Sequence, residues 1–472
     1  MVFSSTVFVF LFFPLTYIIY LVSRNNKLRN VILTVTSLFF YAYGEPFAVL
    51  LMLCSIGINY ACGLMMNNQR LKKPVLIIAI IINLSLLVVF KYLGFLAQLF
   101  NSVTGLSVPI PDISLPIGIS FFTFQAMSYV IDAYKNPKLI EKNILHICLY
   151  ISFFPQLIAG PIIKFSDVAA QIRCRTHSVD KTVYGIKRFI YGLSKKLIIS
   201  NAVALIADNV FALEASSMTL PAAWIGAICY ALQIFFDFSG YSDMAIGLGK
   251  MFGFDFKENF NYPFSACGMT DFWRRWNISV STWFKEYVYI PLGGNRKGKV
   301  RTSINKCIVF FLTGLWHGAN LTFVAWGLIH GFFLLMENFG IIPASKAKGV
   351  VSKTLIHIYT LLVTVLTFVI FRADTISQGL FVIKNMFVGT MASNADVSMN
   401  VFGALTPYVI LIIAVGAVIS TPVVKKIGQN MRSRNMTAAV DVVSCVGTLL
   451  LLGLCVLSLA TAAYNPFIYF RF

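Results

Sequence analysis

The sequence predicts an all-helical protein that crosses a membrane many times, and three observations support this fold class. Hydrophobic residues make up 58% of the 472 positions and charged residues only 12%, whereas in soluble domains about a quarter are charged. Apolar runs close to bilayer length recur along almost the whole chain. Lysine and arginine gather in short clusters between these runs. We therefore expect one membrane-embedded domain over residues 1–472.

The apolar runs predict thirteen helices, several of them shorter than the ~20 residues that a full crossing needs. Short runs such as 303–316 indicate tilted helices or half-crossings. The first run lacks a basic leading region and a small-residue cleavage site, so we interpret it as a membrane span and not as a removable signal. The candidate spans are 5–22, 30–43, 46–65, 74–92, 115–134, 144–160, 184–206, 219–238, 303–316, 321–337, 354–371, 404–422 and 437–462.

The distribution of charged residues indicates a membrane protein and not a nucleic-acid-binding protein. The formal net charge is +20, but the basic residues do not line one soluble face. Clusters such as 24–29, 70–73 and 425–434 are typical of cytoplasmic loops. Nine cysteines include no CxxC pair and no Cys/His metal spacing, so we expect small core residues and no metal site.

Two regions interrupt the apolar pattern. In 155–161, two prolines and a glycine break helix hydrogen bonding, and such backbone survives at membrane depth only inside protein or beside a water-filled cavity. The second region, 258–301, contains 271–286, which predicts one amphipathic helix that lies at the interface or dips into the protein. Its apolar stripe would comprise Trp273, Trp276, Val280, Phe284 and Tyr287, with Arg274, Asn277 and Ser281 on another side. A membrane anchor without chemistry is the alternative.

A glycine-rich basic loop follows at 291–299. It lacks the spacing of a phosphate-binding P-loop that ends in Gly-Lys-Ser or Gly-Lys-Thr. A flexible cytoplasmic turn is the favoured interpretation, and contact with an anionic carrier or nucleotide is the alternative.

Two histidines, His317 and His330, lie in strongly apolar runs, where an ionisable side chain is costly and indicates function. On one continuous helix, thirteen residues rotate by about 220°, so the two rings would face nearly opposite sides. No Asp or Glu lies between them, which argues against a zinc hydrolase. We expect one histidine to act and the other to pack or to line a tunnel.

His317 is the better candidate for the base. Trp316 and the flanking glycines allow close backbone approach beside an aromatic wall. A neutral imidazole in such a site could take the proton of a hydroxyl group. No Gly-x-Ser-x-Gly elbow or dinucleotide fingerprint occurs, so nothing supports a serine acyl-enzyme.

Gln233 and Asp237 are four residues apart and share a helix face. We expect Ser239 and Gly240 to bend the chain before Asp243, so the two carboxylates do not form an obvious catalytic pair. A buried polar network that fixes a cavity is one interpretation, and direct substrate contact is the other.

A series of motifs extends along nearly the whole chain. They are the stretch 115–125, the break at 155–161, the stretch 237–244, Glu258-Asn259-Phe260-Asn261-Tyr262-Pro263, the stretch 271–286, Gly293-Gly294-Asn295-Arg296, Trp316-His317-Gly318, Phe371-Arg372-Ala373 and Tyr464-Asn465-Pro466-Phe467. Together these motifs resemble the membrane-bound O-acyltransferase superfamily, in particular its bacterial branch of alginate O-acetylation and D-alanyl-lipoteichoic acid transfer proteins.

The resemblance implies a ring of tilted transmembrane helices, with re-entrant or interfacial helices, around a central catalytic tunnel in the bacterial cytoplasmic membrane. A short acyl group, with acetyl favoured, would come from a cytoplasmic thioester, either acetyl-CoA or an acyl-carrier protein, without a bound cofactor. Its acceptor would be a hydroxyl of a cell-surface polysaccharide or teichoic acid. An extracellular acetyltransferase or esterase-like partner would complete the transfer.

His317 falls on the histidine that is invariant in the family, and Asn277 falls on its second site position, which is Asn or His. The bacterial branch commonly has His after the Arg-Arg-Trp run. Asn277 cannot act as an acid or base, but its amide could orient a substrate or help to stabilise an oxyanion. The residues expected to contact substrate or to line the tunnel are Arg274, Arg275, Trp316, Ser281, Asp237, Gln233 and His330.

Two other functions stay open at this point. D-alanyl transfer from a carrier protein to teichoic acid is the alternative within enzymes. A polar-solute transporter or export channel would explain Asp237, the broken helices and His317 without chemistry. The absence of an internal repeat and the small number of charges within the spans argue against transport.

Overall fold

The computed structural model describes residues 1–214, 217–391, 397–461 and 467–468. Within these ranges the secondary structure is helical, with no strand, and an isolated bridge pairs Thr219 with Thr390. The chain divides into two compact units.

The first unit comprises residues 1–189 and 241–257. Phenylalanine rings from three of its helices pack at its centre, where the ring centroid of Phe154 lies 5.4 Å from that of Phe12 and 5.5 Å from that of Phe40. Its helices are α1 (Phe8–Val22), α2 (Asn26–Ala42), α3 (Ala48–Met65), α4 (Lys72–Thr104), α5 (Ile119–Lys135), α6 (Ile144–Ser152), α7 (Phe154–Leu157) and α8 (Phe165–Arg173), with a 3-10 turn at Pro137–Leu139.

The second unit comprises residues 190–240 and 258–472. Two long helices, α9 (Val179–Phe211) and α10 (Leu220–Met251), each begin in one unit and end in the other. The other helices of the second unit are α11 (Met269–Trp273), α12 (Ile278–Phe284), α13 (Gly298–His317), α14 (Leu321–Asn338), α15 (Val350–Arg372), α16 (Ile376–Val388), α17 (Pro407–Ile419), α18 (Val423–Ser433) and α19 (Thr437–Thr461).

Polar side chains mark the starts of several helices. A capping oxygen accepts a hydrogen bond from a backbone N–H of the first turn, which otherwise lacks a partner. Asn25, Asn143, Asn320, Thr375 and Thr406 cap α2, α6, α14, α16 and α17 in this way.

Seven helices of the described chain are long and apolar enough to cross a membrane: α3, α4, α9, α10, α14, α15 and α19. An eighth span is possible if α17 and α18, which are bent by 60° at their junction, count as one. Large apolar side chains on α4 and α19 are exposed, including Ile78, Ile81, Leu449 and Leu450, as lipid-facing surfaces require. The protein is a multi-pass, all-helical membrane protein, and this predicted fold class is confirmed.

Not every predicted span matches a helix that is long and apolar enough for a full crossing. The runs 30–43, 115–134 and 144–160 correspond to helices of 17, 17 and 9 residues, which are shorter than the ~20 residues of a typical crossing. The predicted span 74–92 continues to Thr104 as one helix. The first predicted span, 5–22, corresponds to α1.

The predicted bend at Ser239 and Gly240 is wrong, because α10 continues through them as one helix. Gly240 instead allows close helix packing: a Cβ there would lie 2.7 Å from the carbonyl oxygen of Gly192 in α9. The glycine therefore serves interhelical contact.

The break at 155–161 is non-helical after α7 and is buried. Its polar groups bond within the protein: the Gln156 side chain donates to the Tyr150 carbonyl oxygen at 2.6 Å, and the Phe154 N–H donates to Ser37 Oγ at 3.1 Å. The expectation that protein surrounds this irregular backbone is confirmed.

The prediction that the cysteines are small core residues holds only in part. Cys62, Cys229 and Cys455 are buried, whereas Cys54, Cys174 and Cys445 are exposed. Cys54 and Cys445 lie on the apolar helices α3 and α19, where an outward face is as apolar as the core, so sequence hydropathy does not distinguish the two.

Candidate active site

A tight helical hairpin positions His317. Helix α13 ends at His317 and α14 begins at Leu321, after the Asn320 cap. The two helices touch backbone to backbone, because a Cβ at Gly314 would lie 2.4 Å from the Phe323 carbonyl oxygen and a Cβ at Gly327 would lie 2.3 Å from that of Phe310. His317 is thereby held at the turn of the hairpin.

Aromatic rings surround the imidazole of His317. The side chain is buried, with 4% of the residue surface exposed. Its ring centroid lies 4.8 Å from that of Trp316, 5.0 Å from that of Trp326 and 5.1 Å from that of Phe371, in edge-to-face arrangements. These rings exclude water and restrict the orientation of the imidazole. The aromatic wall expected from Trp316 is present, and Trp326 and Phe371 extend it.

Both ring nitrogens of His330 contact other side chains of the protein. The Trp273 indole N–H donates to His330 Nδ1 at 3.2 Å. An indole nitrogen only donates, so Nδ1 is the accepting nitrogen and the ring hydrogen lies on Nε2. Nε2 lies 3.0 Å from Oγ1 of Thr367, whose own hydrogen is directed to the Val363 carbonyl oxygen. His330 is fully buried and therefore packs as a neutral ring.

The helix rotation expected between the two histidines does not apply. The chain leaves the helix at Gly318, so His317 and His330 belong to different helices of the hairpin. Both rings contact Trp326, with centroid distances of 5.0 Å and 4.8 Å. The fold therefore places both histidines in contact with the same ring, the indole of Trp326.

The predicted single amphipathic helix over 271–286 is wrong. The structure has α11, a break at Trp276 and Asn277, and then α12. Asn277 adopts a left-handed backbone conformation with φ 44°, which ends a helix. The backbone oxygen and side-chain oxygen of Asn259 accept the N–H groups of Ile278 and Ser279 at the start of α12. The periodicity of a sequence does not predict a single residue with a left-handed backbone conformation.

The apolar stripe of this segment faces protein and not the membrane surface. Trp273, Trp276, Val280, Phe284 and Tyr287 are all buried. The ring of Trp276 packs on Phe368 at 5.2 Å, and Phe368 lies 6.5 Å from Phe371, which in turn contacts His317. The segment thus belongs to the aromatic cluster around His317.

Asn277 follows Trp276 in this cluster and is 2% exposed. Its backbone carbonyl accepts the N–H of Ser281 at 3.0 Å. Its side-chain Oδ1 is buried and has no hydrogen-bond partner among the described residues. A buried acceptor without a partner is rare and calls for a ligand or another explanation.

The other predicted residues of this segment differ in their surroundings. Arg275 pairs with Asp271 at 2.9 Å on the same helical turn. Arg274 is exposed. The Ser281 hydroxyl is half-buried and lies 3.5 Å from the Trp276 carbonyl oxygen.

Gln233 and Asp237 both lie on α10 and are buried. Asp237 Oδ1 lies 2.6 Å from Lys196 Nζ, and its Oδ2 accepts the backbone N–H of Ile468 at 2.7 Å. These contacts match the predicted polar network. Gln233 has a buried side-chain oxygen without a hydrogen-bond partner in the described part of the chain.

Three residues of the site were missed in the sequence. Trp326 contacts both histidines, and Trp273 and Thr367 contact His330. The spacing of four between Trp326 and His330 was a usable signal, because it places both on one face of α14. Lys196, the partner of Asp237, had no comparable signal.

Comparison with known proteins identifies the family of the chain. Residues 85–341 match the model of the membrane-bound O-acyltransferase family (MBOAT). The chain is 41% identical to the probable alginate O-acetylase AlgI of Pseudomonas aeruginosa over 396 residues, which cover 82% of this chain and 75% of that protein. It is 35% identical to the peptidoglycan O-acetyltransferase of Helicobacter pylori, over 82% of this chain and 80% of that protein.

A teichoic acid D-alanyltransferase of Bacillus subtilis is 30% identical over 242 residues, which cover 47% of this chain and 59% of that protein. The family match extends from within α4 to just past the end of α14 and therefore contains both histidines and Asn277. The protein belongs to the membrane-bound O-acyltransferase family and is an O-acyltransferase.

Proposed function

We propose that the protein moves an acetyl group from a thioester on the cytoplasmic side of the bacterial cytoplasmic membrane toward hydroxyl groups of a cell-surface polysaccharide. The names of two similar proteins, an alginate O-acetylase and a peptidoglycan O-acetyltransferase, support acetyl as the group and a carbohydrate polymer as the acceptor. The D-alanyltransferase matches a smaller share of the chain.

The observation that carries this proposal is the placement of His317. Its imidazole lies at the hairpin turn between aromatic rings, whereas His330 is bonded at both nitrogens. His317 is therefore our candidate for the general base.

The proposed reaction is direct acyl transfer. The acceptor hydroxyl oxygen attacks the thioester carbonyl carbon while His317 takes the hydroxyl proton. The carbon–sulfur bond breaks, an ester bond remains, and the imidazolium returns the proton to the departing thiolate. Holding both substrates in a water-poor site supplies much of the rate acceleration through proximity.

Asn277 is our candidate for orienting the acceptor. Its buried side-chain oxygen is an acceptor without a partner among the described residues, and it could receive the hydrogen bond of a substrate hydroxyl or amide. Arg274 is exposed beside it and is available to an anionic group of the donor. We assign Trp316 and Ser281 to the walls of the site, and Gln233 and Asp237 to its supporting network.

The partners of this reaction are also proposals. The donor is acetyl-CoA or an acyl-carrier protein, and no cofactor is retained. An extracellular acetyltransferase or esterase-like protein supplies the acceptor hydroxyl in the cell and passes the acetyl group on to the polymer. In the purified system an oligosaccharide hydroxyl replaces it.

The central test uses the purified full-length protein in proteoliposomes with radiolabelled acetyl donors and an oligosaccharide acceptor. We expect His317→Ala to abolish acetyl transfer without altering expression or thermal unfolding. The matched control is His146→Ala, because His146 contacts Glu141 and Asn143 in the first unit and should leave transfer unchanged. Full activity of His317→Ala would refute the assignment of the base.

Two further arms define the group and the side of entry. D-alanine loaded on a carrier protein replaces the acetyl donor, and preference for it would replace acetyl in the proposal. Inside-out and right-side-out vesicles receive a membrane-impermeant donor, and consumption only in inside-out vesicles is expected. Counterflow of an unmodified solute without ester formation would instead indicate transport.

A further inference from the structure

Trp326 carries a buried hydrogen-bond donor that the fold does not use. The residue is 1% exposed. Its indole Nε1 has no hydrogen-bond partner among the described residues. Leaving such a donor without an acceptor destabilises the folded protein.

Two other indoles of the protein have hydrogen-bonded N–H groups. Trp273 donates to His330 at 3.2 Å, and Trp224 donates to the Met386 carbonyl oxygen at 2.7 Å. These two tryptophans therefore differ from Trp326 in the use of their donors.

The position of Trp326 connects this donor to the candidate base. Its ring lies 5.0 Å from His317, 4.8 Å from His330 and 5.1 Å from Phe371 between centroids. Since His330 is occupied at both nitrogens, neither of them is available to accept the indole hydrogen.

We propose that Trp326 is a catalytic residue whose N–H donates a hydrogen bond to the carbonyl oxygen of the acyl thioester. This inference rests on the proposed function of His317. When the acceptor oxygen attacks the carbonyl carbon, negative charge develops on the carbonyl oxygen, and a donor fixed in a water-poor site stabilises that charge. The indole and the imidazole would then act on opposite partners of one reaction, the acyl group and the hydroxyl.

Trp326→Phe tests this role, because it keeps an aromatic ring and removes the five-membered ring that carries the N–H. The matched control is Trp224→Phe, which removes a donor bonded to Met386 in another part of the second unit. We expect Trp326→Phe to lower kcat by about 100-fold, with a small change in KM and in the thermal unfolding midpoint. Trp224→Phe should keep its kcat.

A spectroscopic readout separates this role from a structural one. The probe is an acetyl-CoA analogue in which CH2 replaces the thioester sulfur, with a 13C-labelled carbonyl. Its carbonyl stretch should shift to lower frequency on binding to the wild type, and the shift should be smaller in Trp326→Phe. Binding of S-ethyl-CoA, which lacks the carbonyl, should be equal in both proteins.

The outcomes distinguish this inference from the proposed function. If His317→Ala abolishes transfer while Trp326→Phe retains full kcat and the full carbonyl shift, the role of Trp326 is refuted and that of His317 stands. If the wild type transfers no acyl group from any thioester, the proposed function itself fails, and the role of Trp326 fails with it.

Discussion

Trp273 donates its indole hydrogen to Nδ1 of His330 across 3.2 Å, which ties α11 to α14 inside the membrane domain. This bond places a second histidine beside the candidate base without making it a second base. It also leads to a prediction about His330.

Replacing His330 should affect stability and not the protonation chemistry. His330→Leu leaves the Trp273 N–H buried without a partner, at a cost of about 1–3 kcal/mol. His330→Gln can still accept from Trp273 and should be milder. Thermal unfolding in detergent measures the stabilities, and the pH dependence of transfer should be that of the wild type in folded His330→Gln. Loss of one limb of that pH profile would instead make His330 a base.

Substitutions of the buried pair Lys196 and Asp237 should have strongly non-additive effects on the free energy of unfolding. The two side chains are 4% and 1% exposed. Lys196→Met leaves the carboxylate uncompensated and should destabilise by about 3–5 kcal/mol, whereas the double variant with Asp237→Leu should recover part of the loss. Thermal unfolding of both single variants and of the double variant measures the coupling.

A surface pair provides the control for that cycle. Arg432 and Asp441 are 47% and 55% exposed, so Arg432→Ala should change stability by less than about 1 kcal/mol.

Because Asp237 also accepts the Ile468 N–H, Asp237→Ala should speed carboxypeptidase digestion from the C-terminus. Unchanged digestion would contradict that anchoring contact.

The hairpin contact at Gly327 should not tolerate a methyl group. A Cβ there would lie 2.3 Å from the Phe310 carbonyl oxygen, so Gly327→Ala must separate α13 from α14. We expect a loss of about 1–3 kcal/mol and much lower acyl transfer, because His317 moves with the turn. Gly331→Ala is the matched control, since its nearest neighbour is the Phe310 side chain at 3.3 Å. Equal behaviour of the two variants would contradict this packing.

His177 should contribute an acid-sensitive part of the stability of the first unit. Burial, together with the positive charges of Arg29, Arg175 and Lys181, lowers the pKa of His177 to about 4. The unfolded chain takes up this proton near pH 6.5, so the contribution is complete above that pH and is lost as the pH falls from about 6.5 toward 4. Tyr20 contacts the ring at 2.9 Å.

Thermal unfolding in detergent between pH 4 and 7.5 tests this dependence. We expect the unfolding midpoint of the wild type to fall more steeply toward acid than that of His177→Gln, which has no titrating ring. Parallel curves for the two proteins would show that His177 does not titrate differently in the folded state.

Much of the fold follows from hydropathy, because a helix that faces lipid on one side must be apolar over most of its length. Helices α3, α14 and α19 begin and end within a few residues of the predicted spans. The predicted span 219–238 is shorter than α10, because Gly240 packs against Gly192 and does not end the helix. The predicted span 74–92 is likewise shorter than α4, which continues to Thr104.

The candidate site was only partly predictable for a different reason. His317 stands out as an ionisable residue in an apolar run, and its assignment to the base stays a prediction. Its neighbours depend on a turn at Gly318 that folds α14 back on α13, and on one left-handed residue at 277. Both are local backbone events that a periodic pattern does not encode, and they decide that Trp326 lies beside both histidines.

The left-handed backbone at position 277 also limits which side chains evolution or an engineer can place there. Glycine, asparagine, aspartate and histidine accept such a conformation more readily than other residues, and β-branched ones resist it. An amide and an imidazole are therefore exchangeable at this point without rebuilding the main chain. The backbone conformation at position 277 thus limits which amino acids can supply the second polar group of the site. This limit applies independently of any requirement of catalysis.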